Sequence, residues 1–333
     1  MPHDVSAHVD RQEQVGPRHL LRVADLASAE LEGILALAAK LKVEPATLAG
    51  TYTGEAIVAI FELPSTRTRL AFAAAAQRLG LAMTPLGPGE SQLVRGEAVA
   101  DTARTLSVLS AMVVVRTKSD ELLEELAAAA SVPVVNALTP RHHPCEALVG
   151  LFTLRERFGA VSGLKLAFVG VGNNVAHSLL EAGAATGMEI RLACPVGHGP
   201  SDDVVTSART IAATTGGSIG VLEDPREAVA GVDVVYTDVW TSMADEASVN
   251  TRPDFGGFQV DRRLMQLAAD HAVFLHPLPA RRGVEVTADV LDGPRSLVWR
   301  HVANQSPVIQ ALVHSLLARS RPADLAANPS RND

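Results

Sequence analysis

The stretch IVAIFELPSTRTRLAFAAAAQRL, residues 57–79, changes character halfway along. It begins as an apolar run rich in β-branched residues, and from Thr66 to Leu79 it is rich in alanine. The first pattern predicts a buried strand and the second a helix. Hydroxyl and guanidinium side chains are concentrated where the two meet, from Ser65 to Arg69. The stretch therefore predicts a strand-to-helix unit with polar groups at the start of the helix.

Short apolar runs and longer helical segments alternate along the rest of the chain. MVVVR (112–116) precedes a predicted helix from Ser119 to Ala130, and a second series runs from LKLAFVG (164–170) to AVFLHPLP (272–279). A long predicted helix, Cys145 to Phe158, separates the two series. Alternation of this kind predicts parallel βαβ units. We expect an α/β protein with two doubly wound parallel-sheet domains joined by interdomain helices.

The chain length suits two domains of this kind, because 333 residues exceed what a single core usually organises. We expect a first domain over residues 18–150 and a second over 151–303. A last amphipathic helix, 304–318, is expected to return to the first domain. Residues 1–17 are polar and 319–333 are rich in Pro, Asn and Ser, so both ends are predicted to be flexible tails.

Charge and cysteine content narrow the class of protein. The formal net charge of -8 disfavours nucleic-acid and membrane partners, since both are themselves anionic. The two cysteines, Cys145 and Cys194, lie far apart in sequence. No apolar run reaches signal-peptide or membrane-span length. These features predict a reduced, cytoplasmic protein.

The polar residues at the first strand-to-helix junction suit an anion. A helix N-terminus presents unpaired backbone N–H groups and the positive end of the helix dipole. Two hydroxyls and a guanidinium at Ser65, Thr66 and Arg67 add convergent donors, which favour a phosphate over a single carboxylate. The alternative is that Ser65 only caps the helix and that the arginines are solvated.

Polar residues recur at the ends of other predicted strands. Arg116 ends MVVVR, His143 follows VPVVNA, Asp238 ends VDVVYTD, and His276 to Pro279 end AVFLHPLP. Ligand sites of parallel sheets gather at the carboxyl ends of strands. We therefore expect these side chains to converge in a cleft between the domains.

Two other kinds of site fit the sequence less well. VGVGNN, residues 169–174, resembles a dinucleotide fingerprint, but the position of its third glycine is Val175 and no acidic residue ends the next strand. For a metal site, His142 and His143 are adjacent, so their side chains diverge, and neither cysteine has ligand spacing. We predict no metal ion.

Six motifs in order resemble the aspartate/ornithine carbamoyltransferase family, and they are most similar to its ornithine-specific members. The resemblance extends from about His19 to Leu317. The motifs are STRTR, DTARTLS before MVVVR, HPCE, VGVGNNVAHSLL, DVWTSM and HPLPA. The resemblance implies a carbamoyltransferase that acts on carbamoyl phosphate and needs no cofactor.

The resemblance also assigns residues to carbamoyl phosphate. Arg116, His143 and Thr68 are implied to be catalytic, because in the family they stabilise the carbonyl oxygen as charge develops on it. The full implied set for this ligand is Ser65, Thr66, Arg67, Thr68, Gln92, Arg116, His143, Glu146 and Leu278.

A second set is implied to bind the acceptor amine, with Asp238 pairing the α-ammonium of an amino acid. The set is Asn174, Asp238, Ser242, Met243 and Pro277. The aspartate-specific enzymes use an arginine for the second carboxylate, and DVWTSM contains none. An ornithine-like acceptor is therefore expected. The family also implies a homotrimer, in which Gln92 reaches into the site of a neighbouring subunit.

Four residues depart from the ornithine pattern. Leu63 replaces a Lys or Glu, Glu146 replaces the glutamine whose amide oxygen accepts the carbamoyl N–H, Pro277 replaces a cysteine, and Gln305 replaces an arginine. The last helix loses a positive charge and the pocket gains a negative one. We expect a carbamoyltransferase that acts on the distal amine of ornithine or a related diamino acid, with arginine biosynthesis as the general setting, and the departures favour an altered acceptor. The alternatives are a specialised enzyme with another amine acceptor and an inactive paralogue.

Overall fold

Two parallel sheets organise the chain. The computed structural model describes residues 17–240 and 255–320. In these ranges the first sheet has the strand order β2-β1-β3-β4 and the second β7-β6-β5-β8-β9, and the strands within each sheet are parallel. The strands are β1 (Ala56–Phe61), β2 (Ala82–Leu86), β3 (Met112–Arg116), β4 (Val134–Leu138), β5 (Lys165–Val169), β6 (Glu189–Ala193), β7 (Ser218–Leu222), β8 (Val234–Thr237) and β9 (Val273–Leu275).

Helices connect the strands and cover both faces of each sheet. They are α1 (Ser28–Val43), α2 (Arg67–Leu79), α3 (Val99–Leu109), α4 (Asp120–Ala129), α5 (Pro144–Phe158), α6 (Asn174–Thr186), α7 (Asp202–Thr215), α8 (Pro225–Val229), α9 (Arg262–Met265), α10 (Ala288–Leu291) and α11 (Val298–Arg319). The predicted α/β class with two parallel sheets is thus confirmed. In the described ranges, no helix has the length and apolarity needed to cross a bilayer.

The apolar run of residues 57–61 is buried on both sides because it lies inside the first sheet. Ile57, Ala59 and Phe61 pack with α2 and α5, whereas Val58 and Ile60 pack on the opposite face with α3 and α4. Successive side chains of a strand point to opposite faces, so a strand covered on both sides reads as continuously apolar. This double coverage explains the run with which the sequence argument began.

The predicted helices match the observed ones closely, except for the last. Helix α11 begins at Val298, six residues before the predicted start at residue 304, and it continues through Pro307 to Arg319. Asn304 lies in its interior, where its Nδ2 donates to Thr153 Oγ1 of α5 at 3.0 Å. Packing against α1, α2 and α5 supports the helix through the proline.

One strand has no counterpart in the sequence prediction. β2 lies at the edge of the first sheet, contains Pro85 and is mostly exposed, so its residues lack a buried-strand pattern. Proline is tolerated at sheet edges because no ladder hydrogen bond is lost there. Most residues of the two predicted tails, and also Ser242 and Met243, lie outside the described ranges.

Candidate active site

A cleft of about 740 Å³ opens where the carboxyl ends of both sheets face each other. Its walls come from the segments that follow β1, β3, β4, β5, β8 and β9. Residues from the predicted set that line it are Ser65, Thr66, Arg67, Thr68, Arg116, His143, Glu146, Asn174, Asp238, Pro277 and Leu278. The structure therefore brings together residues that lie more than 200 positions apart in sequence.

The loop between β1 and α2 forms one wall of this cleft. Helix α2 begins at Arg67 with Thr66 at the N-cap, and the Thr66 side chain makes no capping hydrogen bond. Ser65 lies one residue before the cap, so the structure does not support the alternative in which Ser65 caps the helix. The hydroxyls of Ser65, Thr66 and Thr68 line the cleft beside the free N–H groups of the first helical turn.

Arg67 reaches across the cleft to the second sheet. Its Nη2 donates to the Leu278 carbonyl oxygen at 2.5 Å. Burial lowers the pKa of Arg67 from its usual value, while Glu146 and Asp238 act in the opposite direction. The side chain therefore lies between the loop before α2 and the loop after β9.

Arg116 and His143 lie at the floor of the cleft. The pairing of β3 with β4 shifts by one residue at Arg116, which lies opposite Leu138 at the strand ends. Burial lowers the pKa of Arg116 to about 10, so it remains charged at neutral pH. His143 precedes α5, and its backbone N–H donates to Ser178 Oγ at 2.8 Å.

The His143 imidazole is neutral at neutral pH. Burial is the largest cause of a pKa lowered to about 4, and Arg116 adds to it, although Glu146 opposes the shift. A neutral imidazole keeps one N–H and can donate it to an oxygen that gains negative charge. With the Arg116 guanidinium, this gives two donors at the end of the first sheet.

Glu146, in the first turn of α5, makes its closest contact with a residue of α11. Its Oε1 is hydrogen-bonded to His301 Nε2, and its Oε2 lies 3.8 Å from His143 Nε2. Burial raises the pKa of Glu146, but His301, followed by His143 and Arg67, holds it below the usual value. Glu146, one of the four departures from the family pattern, is thus a carboxylate with a histidine partner.

The opposite wall is formed by the residues after β5 and β8. Asp238 Oδ2 accepts from Asn173 Nδ2 at 2.7 Å, and its Oδ1 accepts from the Val239 N–H at 2.8 Å. Burial raises the pKa of Asp238. Asn174 donates from Nδ2 to the Thr139 carbonyl at 2.7 Å. These contacts fix the carboxyl group of Asp238 and the amide of Asn174 on the side that faces the loop before α2.

The turn after β9 is held by a buried pair. His276 Nδ1 accepts from the Leu278 N–H at 2.8 Å, so its proton is on Nε2, which faces Glu285 Oε1 at 3.2 Å. Leu278 has a φ of 59°, in the left-handed region that side chains other than glycine rarely adopt. His276 and Arg67 thus bind the N–H and the carbonyl of a strained residue at the edge of the cleft.

Some predicted residues are not brought to this cleft. Gln92 is exposed in a 3₁₀ turn, Gln92–Arg95, and does not line the cleft of its own chain. Ser242 and Met243 lie outside the described residues. All four departures from the ornithine pattern do line the cleft: Leu63, Glu146, Pro277 and Gln305.

Among the residues that the sequence argument missed, Asn173 and His301 make direct contacts with predicted site residues. Asn173 both caps α6, through Oδ1 to the Val175 N–H at 3.0 Å, and holds Asp238. The doubled Asn in VGVGNN was a usable signal, since Asn is a preferred N-cap. His301 carried no local signal, because only the packing of α11 on α5 places it beside Glu146.

The glycines of VGVGNN have a packing role. A Cβ on Gly172 would lie 2.1 Å from Pro200 N, so the glycine allows the 199–200 loop to approach the start of α6. That loop takes the place where a pyrophosphate would approach the backbone in a dinucleotide site. In the described part of the chain, no group of three or more His, Cys, Asp or Glu side chains is arranged to hold a metal ion.

Comparisons with known proteins agree with this arrangement. The aspartate/ornithine carbamoyltransferase models match twice, the carbamoyl-P binding domain at residues 18–156 and the Asp/Orn binding domain at 162–316. An ornithine carbamoyltransferase of Acidothermus cellulolyticus is 46% identical over 301 residues, which is 90% of this chain and 96% of that protein.

Solved structures give the same result. The ornithine carbamoyltransferase from Pyrococcus furiosus is 39% identical, with a TM-score of 0.87 over 91% of this chain and 98% of that one. The enzyme from Gloeobacter violaceus is 40% identical, with a TM-score of 0.82 over 90% and 98%. The chain belongs to the aspartate/ornithine carbamoyltransferase family.

Proposed function

We propose that the protein transfers the carbamoyl group of carbamoyl phosphate to the distal amine of ornithine and releases phosphate. One observation carries the proposal: hydroxyls at a helix N-terminus, two arginines, a neutral histidine and a buried aspartate line one cleft. The hydroxyls, arginines and histidine suit a phosphate and a carbonyl oxygen, and the aspartate suits an ammonium. The ornithine carbamoyltransferases to which the chain is similar support this acceptor, and no relative named above supports a different one.

The phosphate group is proposed to bind the loop before α2. Ser65, Thr66 and Thr68 contribute hydroxyl donors, and Arg67 contributes a guanidinium. The first-turn N–H groups of α2 and the helix dipole add further attraction for a dianion. To bind phosphate in this way, Arg67 exchanges part of its contact with the Leu278 carbonyl for the ligand. That carbonyl is then free to accept an N–H of the carbamoyl group.

Arg116, His143 and Thr68 are proposed to be the catalytic residues. The neutral distal amine attacks the carbonyl carbon, and the carbonyl oxygen gains negative charge. The bond from carbon to the phosphate oxygen then breaks, phosphate leaves with the electron pair, and the amine nitrogen gives its proton to the leaving phosphate. Donors placed before the reaction stabilise the oxyanion without further reorganisation, and the binding of both substrates supplies the orientation.

Asp238 and Asn174 are proposed to hold the amino-acid end of ornithine. A buried carboxylate whose pKa is raised by burial gains most from a cation that pairs with it, and the α-ammonium supplies one. Ser242, Met243 and Pro277 complete the proposed acceptor set. Pro277 is buried next to Leu278, so the distal amine would meet an apolar ring where the family pattern has a thiol.

We also propose the domain roles and the assembly. Residues 18–150 would bind carbamoyl phosphate together with the helix at 304–318, and 151–303 would bind the acceptor. A homotrimer is supported by exposed apolar side chains on the first domain, which a subunit contact would cover: Leu70, Val94, Val108 and Leu109. Gln92 is also exposed, in the turn Gln92–Arg95, and would reach a neighbouring site. Arginine biosynthesis in the cytoplasm is the proposed setting, since both cysteines are free and buried.

Steady-state kinetics test the proposal directly. Ureido-product formation is measured with carbamoyl phosphate and with ornithine, shorter and longer diamino acids, simple diamines and aspartate. We expect ornithine to be preferred, with kcat/KM on the order of 10⁵ M⁻¹s⁻¹. A preference for another amine would support the specialised enzyme. No turnover with any acceptor, in a protein that folds, would support the inactive paralogue.

A further inference from the structure

His301, a residue of the last helix, lies at the base of the cleft although it does not line it. It is fully buried, and its Nε2 is hydrogen-bonded to Oε1 of Glu146. Glu146 itself is only 6% exposed and lines the cleft. The two residues are 155 positions apart, and α11 packs directly on α5. The contact is therefore a product of the helix packing.

The hydrogen bond divides the roles of the two carboxylate oxygens. Oε1 is used by His301, whereas Oε2 lies on the side of His143, which lines the cleft. A carboxylate accepts hydrogen bonds and has no donor, so His301 must carry a proton on Nε2. The other ring nitrogen of His301, Nδ1, is buried and has no hydrogen-bond partner among the described residues. Moving the proton to Nδ1 would bury an unpaired donor, which is unfavourable.

We infer that His301 is a positioning residue, which fixes Glu146 so that its free oxygen Oε2 accepts the N–H of the carbamoyl group. The inference rests on the proposed function. It explains how a glutamate serves where the family pattern has an amide oxygen. His301 donates to one oxygen and leaves the other as an acceptor of fixed direction.

The charged and titratable groups around this pair support the same arrangement. From α2, β3, the start of α5 and the end of β8, the groups that face Glu146 are Arg67, Arg116, His143, Tyr236 and Asp238. Arg67 and Arg116 offset the negative charge of the carboxylate, and the Nε2–H of His301 donates to it from the side away from the cleft. A phosphate bound at α2 therefore meets a compensated carboxylate.

The test compares two ligands that differ only at the group in question. Acetyl phosphate has a methyl group where carbamoyl phosphate has NH2, and the phosphate contacts are otherwise shared. Dissociation constants for both are measured by calorimetry on the full chain. We expect the wild type to prefer carbamoyl phosphate, because a site built to bond an N–H rejects the analogue that lacks it.

His301→Leu, which removes the donor, and Glu146→Gln should each lower this preference by about tenfold, chiefly through weaker carbamoyl phosphate binding. In Glu146→Gln, the Nε2–H of His301 uses the amide oxygen, so NH2 faces the substrate N–H. The double variant His301→Gln/Glu146→Gln should recover the preference to within about threefold of wild type, since the amide introduced at 301 can accept from the amide introduced at 146 and free its oxygen.

A matched control is available on the same helix. His314, whose Nδ1 is 2.9 Å from the Tyr52 hydroxyl, lies toward the far end of α11, and His314→Leu should leave the preference unchanged. Thermal unfolding checks that each variant folds, and the Glu146→Gln variant tests the same pair if His301→Leu fails to fold.

The outcomes separate this inference from the proposed function. An unchanged preference in the folded single variants, or a double variant no better than the singles, would overturn the role of His301 while leaving the carbamoyltransferase proposal intact. A wild-type protein that binds neither anion would refute the proposed function, and the inference with it.

Discussion

Replacing Arg67 with glutamine tests most directly whether the loop before α2 binds the phosphate, as proposed. In the structure its guanidinium lies in the cleft at the start of α2 and donates to the Leu278 carbonyl. Arg67 is therefore preoriented, and its positive charge has no salt-bridge partner among the described residues. A hydrogen bond to a charged group contributes about 1.5–3 kcal/mol, so the dissociation constant for carbamoyl phosphate should rise about 10- to 150-fold.

Calorimetry with carbamoyl phosphate measures this change, and Arg69→Gln is the matched control. Arg69 lies two residues along α2, with its Cζ 5.0 Å from the Phe61 ring centroid, and it does not line the cleft. Its replacement should leave the affinity within about twofold of wild type. Loss of the Leu278 contact should cost Arg67→Gln about 1 kcal/mol of unfolding free energy, which urea denaturation checks.

Two results would refute the reasoning. A folded Arg67→Gln protein with wild-type affinity would show that the phosphate binds elsewhere. An equal loss in both variants would show that α2 contributes only general positive charge. Neither result depends on turnover, so the acceptor need not be known.

Three further predictions follow from the same structure. Asp238→Asn should raise the KM for ornithine at least about tenfold and leave carbamoyl phosphate affinity within about twofold, and equal loss of both would contradict the assignment. Burial raises the pKa of Glu181 to about 7, so the folded chain holds a proton that the unfolded chain releases, and the stability from this residue is lost as pH rises through 7. In urea unfolding, the free energy of unfolding of Glu181→Gln relative to wild type should therefore rise by up to about 3 kcal/mol between pH 5 and pH 8, whereas a difference that does not change with pH would contradict this pKa shift. If Gln92 completes a neighbouring site, mixing inactive Arg67→Ala and Gln92→Ala proteins should restore part of the activity once subunits exchange, and no recovery would count against shared sites.

The sequence predicted the fold through patterns that depend on near neighbours. Buried parallel strands read as apolar runs because helices cover both faces, and alanine-rich segments between them predict helices. Where these local patterns fail, the prediction fails too. Edge strand β2 is exposed and lacks the apolar run of a buried strand. The start of α11 was placed too late because Asn304 and Pro307 resemble the beginning of a helix.

Much of the candidate site was also predictable, because the carboxyl ends of parallel strands meet at one edge. Arg116, His143 and Asp238 each follow a strand directly, and the structure brings all three to the cleft. The sequence by itself therefore determined that the side chains at these strand ends share a cleft.

Only the tertiary structure decided how these side chains pair. Arg67 meets the Leu278 carbonyl 211 residues away, Asn173 meets Asp238 65 residues away, and Glu146 meets His301. Such contacts depend on how α2, α5 and α11 pack and on how the two sheets face each other, and no local pattern encodes these distances. From the sequence alone, Glu146 is an additional negative charge in the pocket. Only the packing of α11 on α5 places His301 beside it.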